Sequence, residues 1–181
     1  MNRSMREVVR VLLTVAVLSG GMWSGASGVL AKEKAGTLAR QVQGSWTLVS
    51  IYVEQEGRKI EPFGSQPKGF LTITPDGHFS YILLKASLPK IAADNRMKGT
   101  AEENQAIVQG SLAAYGTYKV VNEKEHTVNY RIEGSTFPNW DGQDQKRTWT
   151  VKGDELSITN PTTSVGGGVA YLIFKRAPGA P

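Results

Sequence analysis

The sequence has no cysteine among its 181 residues. That excludes a disulfide framework, a thiolate metal site, a cysteine nucleophile and lipid attachment through a cysteine. Histidines number two, His78 and His126. Each opens an extended segment, and neither stands at metal-ligand spacing from Asp or Glu, so neither a metal nor another cofactor is expected. No nucleophile elbow occurs. Gly166-Gly167-Gly168 is followed by neither a Lys nor a helix start, so it reads as a flexible hairpin rather than a phosphate cradle. Lys and Arg form no stripe, so nucleic acid is not an expected partner. The longest N-terminal apolar run, Val11 to Leu18, falls short of the roughly 20 residues a membrane span needs.

What is present at the N-terminus is ordered. Arg3, Arg6 and Arg10 precede the apolar run, Gly20 and Gly21 break it, and Val29-Leu30-Ala31 supplies small or apolar residues at −3 and −1. This is the pattern of a secretory signal peptide over residues 1–31. The alternative is an uncleaved anchor. Removal would take away three Arg and one Glu, leaving 18 basic and 15 acidic residues, net +3. An exported protein without disulfides relies on its core alone, which fits a bacterial periplasmic or secreted protein, with no integral span once the signal is removed.

Residues 32–43 are polar and alanine-rich, a linker or short lead-in helix. From Gly44 the period changes to two. Eight strands are expected at 44–53, 69–74, 78–85, 115–121, 126–133, 144–152, 155–159 and 169–176. Pro75-Asp76-Gly77 and Gly153-Asp154 are tight-turn signals. One helix is expected between the third and fourth strands. Thr100-Ala101-Glu102-Glu103 forms a capping box, and Ile107, Val108, Ser111 and Leu112 share a face, which predicts a helix over 101–114. The organisation is thus 1–31 signal, 32–43 lead-in, 44–177 barrel domain and 178–181 tail.

Sequential antiparallel strands in one domain suggest an all-β, eight-stranded up-and-down barrel, which removes exposed edges. The connections alternate in length. Those at 75–77, 122–125 and 153–154 are short; those at 54–68, 86–114, 134–143 and 160–168 are long. In an up-and-down barrel this gathers the short turns at a closed end and the long loops at a mouth. The interior of such a barrel holds one small ligand or is filled by side chains.

Candidate site residues follow from this geometry. The loop with Phe137, Pro138, Asn139 and Trp140 belongs to the mouth, as a lid over a cavity or as a plug packed on the helix. In the sixth strand, Arg147 shares the phase of Trp149 and Val151, so it points inward. There it grips a ligand anion or pairs internally with a residue such as Asp94; otherwise it lies exposed near the mouth. Asp94 and Arg96 are read as a loop-fixing salt bridge or, less simply, an acid–base pair. Tyr81, Tyr118 and Tyr130, with Phe79, offer apolar rings with polar tips, suited to a mixed pocket or to plain core.

Gly44-Ser45-Trp46 resembles the Gly-x-Trp signature of lipocalins. The resemblance implies a Trp that closes the barrel floor and an Arg near the last strand packed across its ring, here Arg176. Further segments resemble the bacterial and fungal lipocalin-like domain family. They are Pro62-Phe63-Gly64, Thr74-Pro75-Asp76-Gly77, Asp94-Asn95-Arg96 through Glu103, and Phe137-Pro138-Asn139-Trp140 with Gln145 and Arg147. The match spans about residues 42–176. It implies a small barrel with a pocket.

The leading expectation is an exported, non-enzymatic barrel binding a small apolar or amphipathic, anionic or neutral, molecule. The expected ligand-binding residues are Tyr81, Tyr118, Tyr130, Phe137, Asn139, Trp140, Arg147 and Trp149, and the structural motif is Gly44, Trp46 and Arg176. The alternatives are a barrel isomerase or cyclase using Tyr and Arg, and a filled barrel that serves protein interaction. Export is tested by N-terminal sequencing of the protein from a bacterial envelope fraction: the mature chain is expected to begin at Lys32, and a chain retaining Met1 in the membrane contradicts it.

Overall fold

The computed structural model describes residues 37–179. The expected signal peptide lies outside the described residues. Nine strands form one antiparallel sheet: β1 (Gly44–Gln55), β2 (Arg58–Ile60), β3 (Lys68–Ile73), β4 (His78–Leu84), β5 (Ser111–Asn122), β6 (Thr127–Ser135), β7 (Asp144–Lys152), β8 (Glu155–Asn160) and β9 (Val169–Arg176). Each strand from β3 onward pairs with the next, and β1 pairs with both β3 and β9. The pairing of β1 with β9 closes an eight-stranded barrel, with β2 as a short flap on β1.

The sequence reading did not include β2. From sequence the 54–68 stretch is expected to be loop; in the structure it contains β2. Glu56 and Gly57 both take positive φ, 50° and 74°, which is the geometry of a two-residue hairpin turn, and Val53 then faces Ile60. Glu at the first turn position hides that signal, because Asn or Asp is usual there.

The helix also differs. The capping box forms as expected: Thr100 Oγ1 accepts from the Glu103 amide at 3.2 Å, and Glu103 Oε2 accepts from the Thr100 amide at 2.9 Å. But this helix, α2, covers only Ala101–Gln109 and lies between β4 and β5 in the nine-strand count. Residues 111–114 were expected to be helical. They belong to β5 instead, where Leu112 faces Leu83 and Ala114 faces Tyr81. Strand pairing outweighs the helical propensity of that stretch. Helix α2 has no buried residue, and Val108 stands 70% exposed.

Period-two burial runs through the barrel wall. In β4 it selects Phe79, Tyr81 and Leu83, and in β8 Leu156, Ile158 and Asn160. In β1 the phase flips. Trp46 and Leu48 point inward, a bulge intervenes between Leu48 and Ser50, and then Ile51 and Val53 point inward. A second bulge lies on β6 opposite Tyr115 and Gly116. There the strands approach so closely that a Cβ at Gly116 would collide with the Arg131 carbonyl oxygen.

The two ends of the barrel differ as the loop lengths require. At the floor, a short helix α1 (Leu38–Gln41) inserts Leu38 and the following Val42 into the core. The Leu38 amide donates to Glu123 in the β5–β6 turn at 3.0 Å. Trp46 is fully buried and its indole N–H donates to the Val42 carbonyl at 2.7 Å. The Arg176 guanidinium lies 4.2 Å from the Trp46 ring and donates to the Gln41 and Gln43 carbonyls at 2.9 and 3.0 Å. One residue thus covers the indole and satisfies two carbonyls at the C-terminal end of α1. His78 and His126 also lie at this end: His78 sits 3.2 Å from Asp76, and His126 Nδ1 is 3.1 Å from the Trp149 carbonyl.

Trp46→Ala is expected to lower unfolding free energy by about 3–5 kcal/mol, the usual range for a buried large aromatic. Urea denaturation followed by circular dichroism checks this; a loss below about 1 kcal/mol would mean the floor contributes little.

Candidate ligand cavity at the barrel mouth

All four long connections meet at the end opposite α1. Pro62 and Phe63 of the β2–β3 loop, Val108 and Gln109 of α2, Thr136 and Phe137 of the β6–β7 loop, and Ser164 and Val165 of the β8–β9 loop line one groove. Beneath it a cavity of about 30 Å³ opens into the barrel. That is room for a few water molecules. Its walls are the apolar side chains of Ile51, Val53, Leu83, Leu112, Ala170 and Leu172 with Tyr81, Arg147 and Asn160; Phe63, Trp140 and Val165 roof it.

The 136–143 loop is pinned from both sides. Thr136 exchanges hydrogen bonds with Ala113, its amide donating to the Ala113 carbonyl and its Oγ1 accepting from the Ala113 amide, each 2.9 Å. Gly142 and Gln143 bond Ile132 through backbone groups, also at 2.9 Å. Pro138–Trp140 form a 3-10 turn that drives the Trp140 ring into the barrel, edge-on to Phe137 at 5.5 Å between centroids. Trp140 is 4% exposed, Phe137 is half-buried, and Asn139 is exposed.

Below the cavity the interior turns polar. Alternation on β7 sends Gln145, Arg147 and Trp149 inward. Arg147 is 4% exposed. One of its terminal N–H groups donates to Gln145 Oε1 at 2.9 Å, and its guanidinium lies 4.1 Å from the Tyr130 ring centroid and 5.7 Å from that of Tyr81. Among the described residues four buried polar atoms lack a hydrogen bond of good geometry: Arg147 Nε, Gln145 Nε2, Trp149 Nε1 and the Tyr130 hydroxyl, which Trp149 and Arg147 approach without good alignment. All four are able to donate. Among the described residues no carboxylate forms a salt bridge with Arg147. Burial pushes the Tyr130 phenol well above its ordinary range, and the positive charge of Arg147 only partly opposes this.

The residues expected at the site therefore divide. Tyr81, Trp140 and Arg147 line the cavity. Tyr130 sits under the Arg147 guanidinium, and Trp149 lies deeper, edge-on to Tyr130 at 5.5 Å. Tyr118 is away from the mouth. Strand β5 runs from mouth to floor, and by residue 118 it has reached the β3–β4 turn, where the Tyr118 hydroxyl donates to the Thr74 carbonyl at 3.1 Å. Phe137 packs outside the roof against the end of α2, and Asn139 points no group into the cavity wall. Asp94, an anticipated partner for Arg147 or Arg96, is exposed and forms no ion pair among the described residues. Gly44, Trp46 and Arg176 build the floor.

Sequence reading missed Ile51, Val53, Leu172 and Asn160. Asn160 was accessible to it, since it continues the inward set Leu156 and Ile158. Ile51 and Val53 were hidden by the β1 bulge, which no residue in Leu48-Val49-Ser50 announces.

Three comparisons bear on this architecture. The model of the family described as "Lipocalin-like domain" matches residues 43–177. A carrier protein of Aspergillus oryzae (strain ATCC 42149 / RIB 40), the 4'-hydroxy-3'-methoxypropiophenone carrier protein ppsC, is 25% identical over 104 residues, covering 53% of this chain and 94% of that protein. A crystal structure of a mutant of the fluorescent protein UnaG aligns at 14% identity over 78% of this chain and 100% of that one, with a TM-score of 0.37. The floor motif, the closed barrel and the family match over most of the described residues agree: this chain belongs to the lipocalin-like domain family.

Proposed function

We propose that this protein is a carrier that holds a small amphipathic molecule in the barrel, its apolar body against Ile51, Val53 and Leu172 and an anionic group on Arg147. The observation that carries this reading is the buried guanidinium without a counter-charge. A desolvated cation costs several kcal/mol unless it is paired. The nearest acid is the Tyr130 phenol, and burial keeps it neutral. The surrounding orphan groups are donors as well, so the interior is short of acceptors and long on N–H and O–H. A carboxylate or comparable oxyanion supplies both the charge and the acceptor lone pairs. The fungal relative, named as a carrier of an aromatic ketone, agrees with a carrier role.

The small volume of the cavity favours one competing reading, a barrel filled by its own side chains and used for interaction. Binding measurements separate the two. An arylalkanoate and its primary amide have nearly the same shape and differ in charge. By isothermal calorimetry the acid is expected to bind about tenfold or more tighter than the amide, and Arg147→Gln is expected to erase the difference, in line with ~1.5–3 kcal/mol for a hydrogen bond to a charged group. Equal affinities for acid and amide in the natural chain contradict the anion assignment, and no binding of either favours the filled barrel.

The neutrality of Tyr130 has its own test. A phenol whose pKa is raised by folding leaves stability intact below the ordinary phenol value of about 10 and removes it as pH climbs beyond that, because only the unfolded chain then ionises. Stability is expected to fall by about 1.4 kcal/mol per pH unit more steeply in the natural chain than in Tyr130→Phe above pH ~10. Urea titrations of both chains between pH 8 and 11 measure this; parallel pH profiles would show Tyr130 ionised in the fold.

A further inference from the structure

A cavity of about 30 Å³ admits no organic molecule, so carriage in the barrel, the reading proposed above, requires part of the roof to move. Three segments roof it, and they are held differently. The 136–143 loop is pinned by backbone bonds to Ala113 on one side and Ile132 on the other, and it buries Trp140. The β2–β3 loop buries Phe63 and Pro67. The β8–β9 loop, residues 161–168, buries no residue. Its hydrogen bonds all close within itself and its first neighbour: Asn160 with Thr162, twice, and Thr163 Oγ1 with Gly167, twice. Among the described residues it makes no side-chain hydrogen bond to any element other than β8, through Asn160.

The sequence of this loop sets a stiff end and a loose end. Pro161 fixes φ at the start. Gly166, Gly167 and Gly168 follow the tip with φ of 90°, 143° and 78°, a region in which side chains other than glycine are strained. Gly167 and Gly168 pass close against Gln55 and the Val53–Glu54 stretch of β1, whereas Gly166 has open space around it, so backbone rotation at little steric cost is available at Gly166. Between the two ends, Val165 is the apolar side chain that reaches the roof, where it lines both the cavity and the groove beside Pro62 and Phe63. It is already 42% exposed, so lifting it uncovers little new apolar surface.

We infer that the β8–β9 loop is the gate of the barrel, swinging on Gly166 to lift Val165 away from Pro62 and Phe63, and that the aromatic loop with Trp140 is the fixed side of the opening. This reverses the expectation of an aromatic lid. A weakly anchored segment opens first because local opening follows the least buried and least hydrogen-bonded part of a fold.

The chain has no cysteine, so introduced thiols act alone. Pro62→Cys with Val165→Cys ties the gate shut, as a disulfide or through a short dithiol-bridging reagent. Ala113→Cys with Thr136→Cys ties the aromatic loop to its existing neighbour. The probe is the aromatic anion 1-anilinonaphthalene-8-sulfonate, followed by stopped-flow fluorescence in the linked and reduced forms of each protein. Linking the first pair is expected to slow uptake at least tenfold, with recovery when the link is cleaved; linking the second is expected to leave the rate unchanged. An unaltered rate in the linked gate, or a comparable slowing from the second pair, overturns the assignment. If the reduced proteins take up no probe, the anion-carrier reading fails instead. The gate is then judged by amide hydrogen exchange of the natural chain: residues 162–168 are expected to exchange at least tenfold faster than 140–143, and equal rates overturn it.

Discussion

The pairing of β1 with β9 is the constraint on which the rest depends. It runs from Trp46 opposite Arg176 at the floor to Glu54 opposite Val169 at the mouth. By joining the first strand to the last it removes both long sheet edges. It also places Arg176 over the Trp46 indole, so the contact that closes the barrel sideways closes it from below as well. The bulge between Leu48 and Ser50 keeps this strand useful at both ends. Were the same sequence paired without a bulge, the set that begins with Trp46 and Leu48 would continue through Ser50 and Tyr52, and Ile51 and Val53 would face solvent. The apolar wall of the cavity therefore depends on an irregularity in the strand that closes the barrel.

Polar satisfaction varies along the barrel axis. At the floor the donors have partners: the buried Trp46 indole bonds Val42, and the half-buried Tyr118 hydroxyl bonds Thr74. The middle layer is different. Arg147, Gln145, Tyr130 and Trp149 leave four donor-capable atoms unmatched within a few ångströms of a guanidinium. A fold selected only for stability has little reason to keep such a layer, because an apolar replacement of similar shape is often neutral or better. Stable floor, apolar mouth and donor-rich middle divide the barrel into three layers of different chemistry.

The mouth shows a comparable division of labour. The β6–β7 loop carries large aromatic rings and many backbone bonds, whereas the β8–β9 loop carries three glycines and makes side-chain bonds only within itself and to Asn160. Aromatic area makes the former a wall. The absence of side chains makes the latter the segment with the least to lose on moving.

Much of this molecule was legible in its residues. Alternating burial, tight-turn signals and the regular alternation of short and long connections determined an eight-stranded barrel with one closed end, because period-two patterning and turn chemistry are local properties. The capping box marked the start of α2 for the same reason. Alternation also sent Arg147 inward. Where α2 ends was not legible, since residues 111–114 have helical propensity and are extended only because β4 offers a partner. Nor was the β1 bulge, which arises from pairing with β9 across most of the described chain, or the local β2 hairpin, whose Glu56-Gly57 turn lacks the usual Asn or Asp signal. The sequence supplied an inward Arg147 and a set of candidate partners, Asp94 among them. Only the tertiary structure decided that no carboxylate among the described residues pairs with it, that Tyr118 belongs to the floor, and that the cavity is roofed by residues from three separate loops. Burial and electrostatic pairing are set by which distant segments meet, and a linear pattern carries no record of that distance.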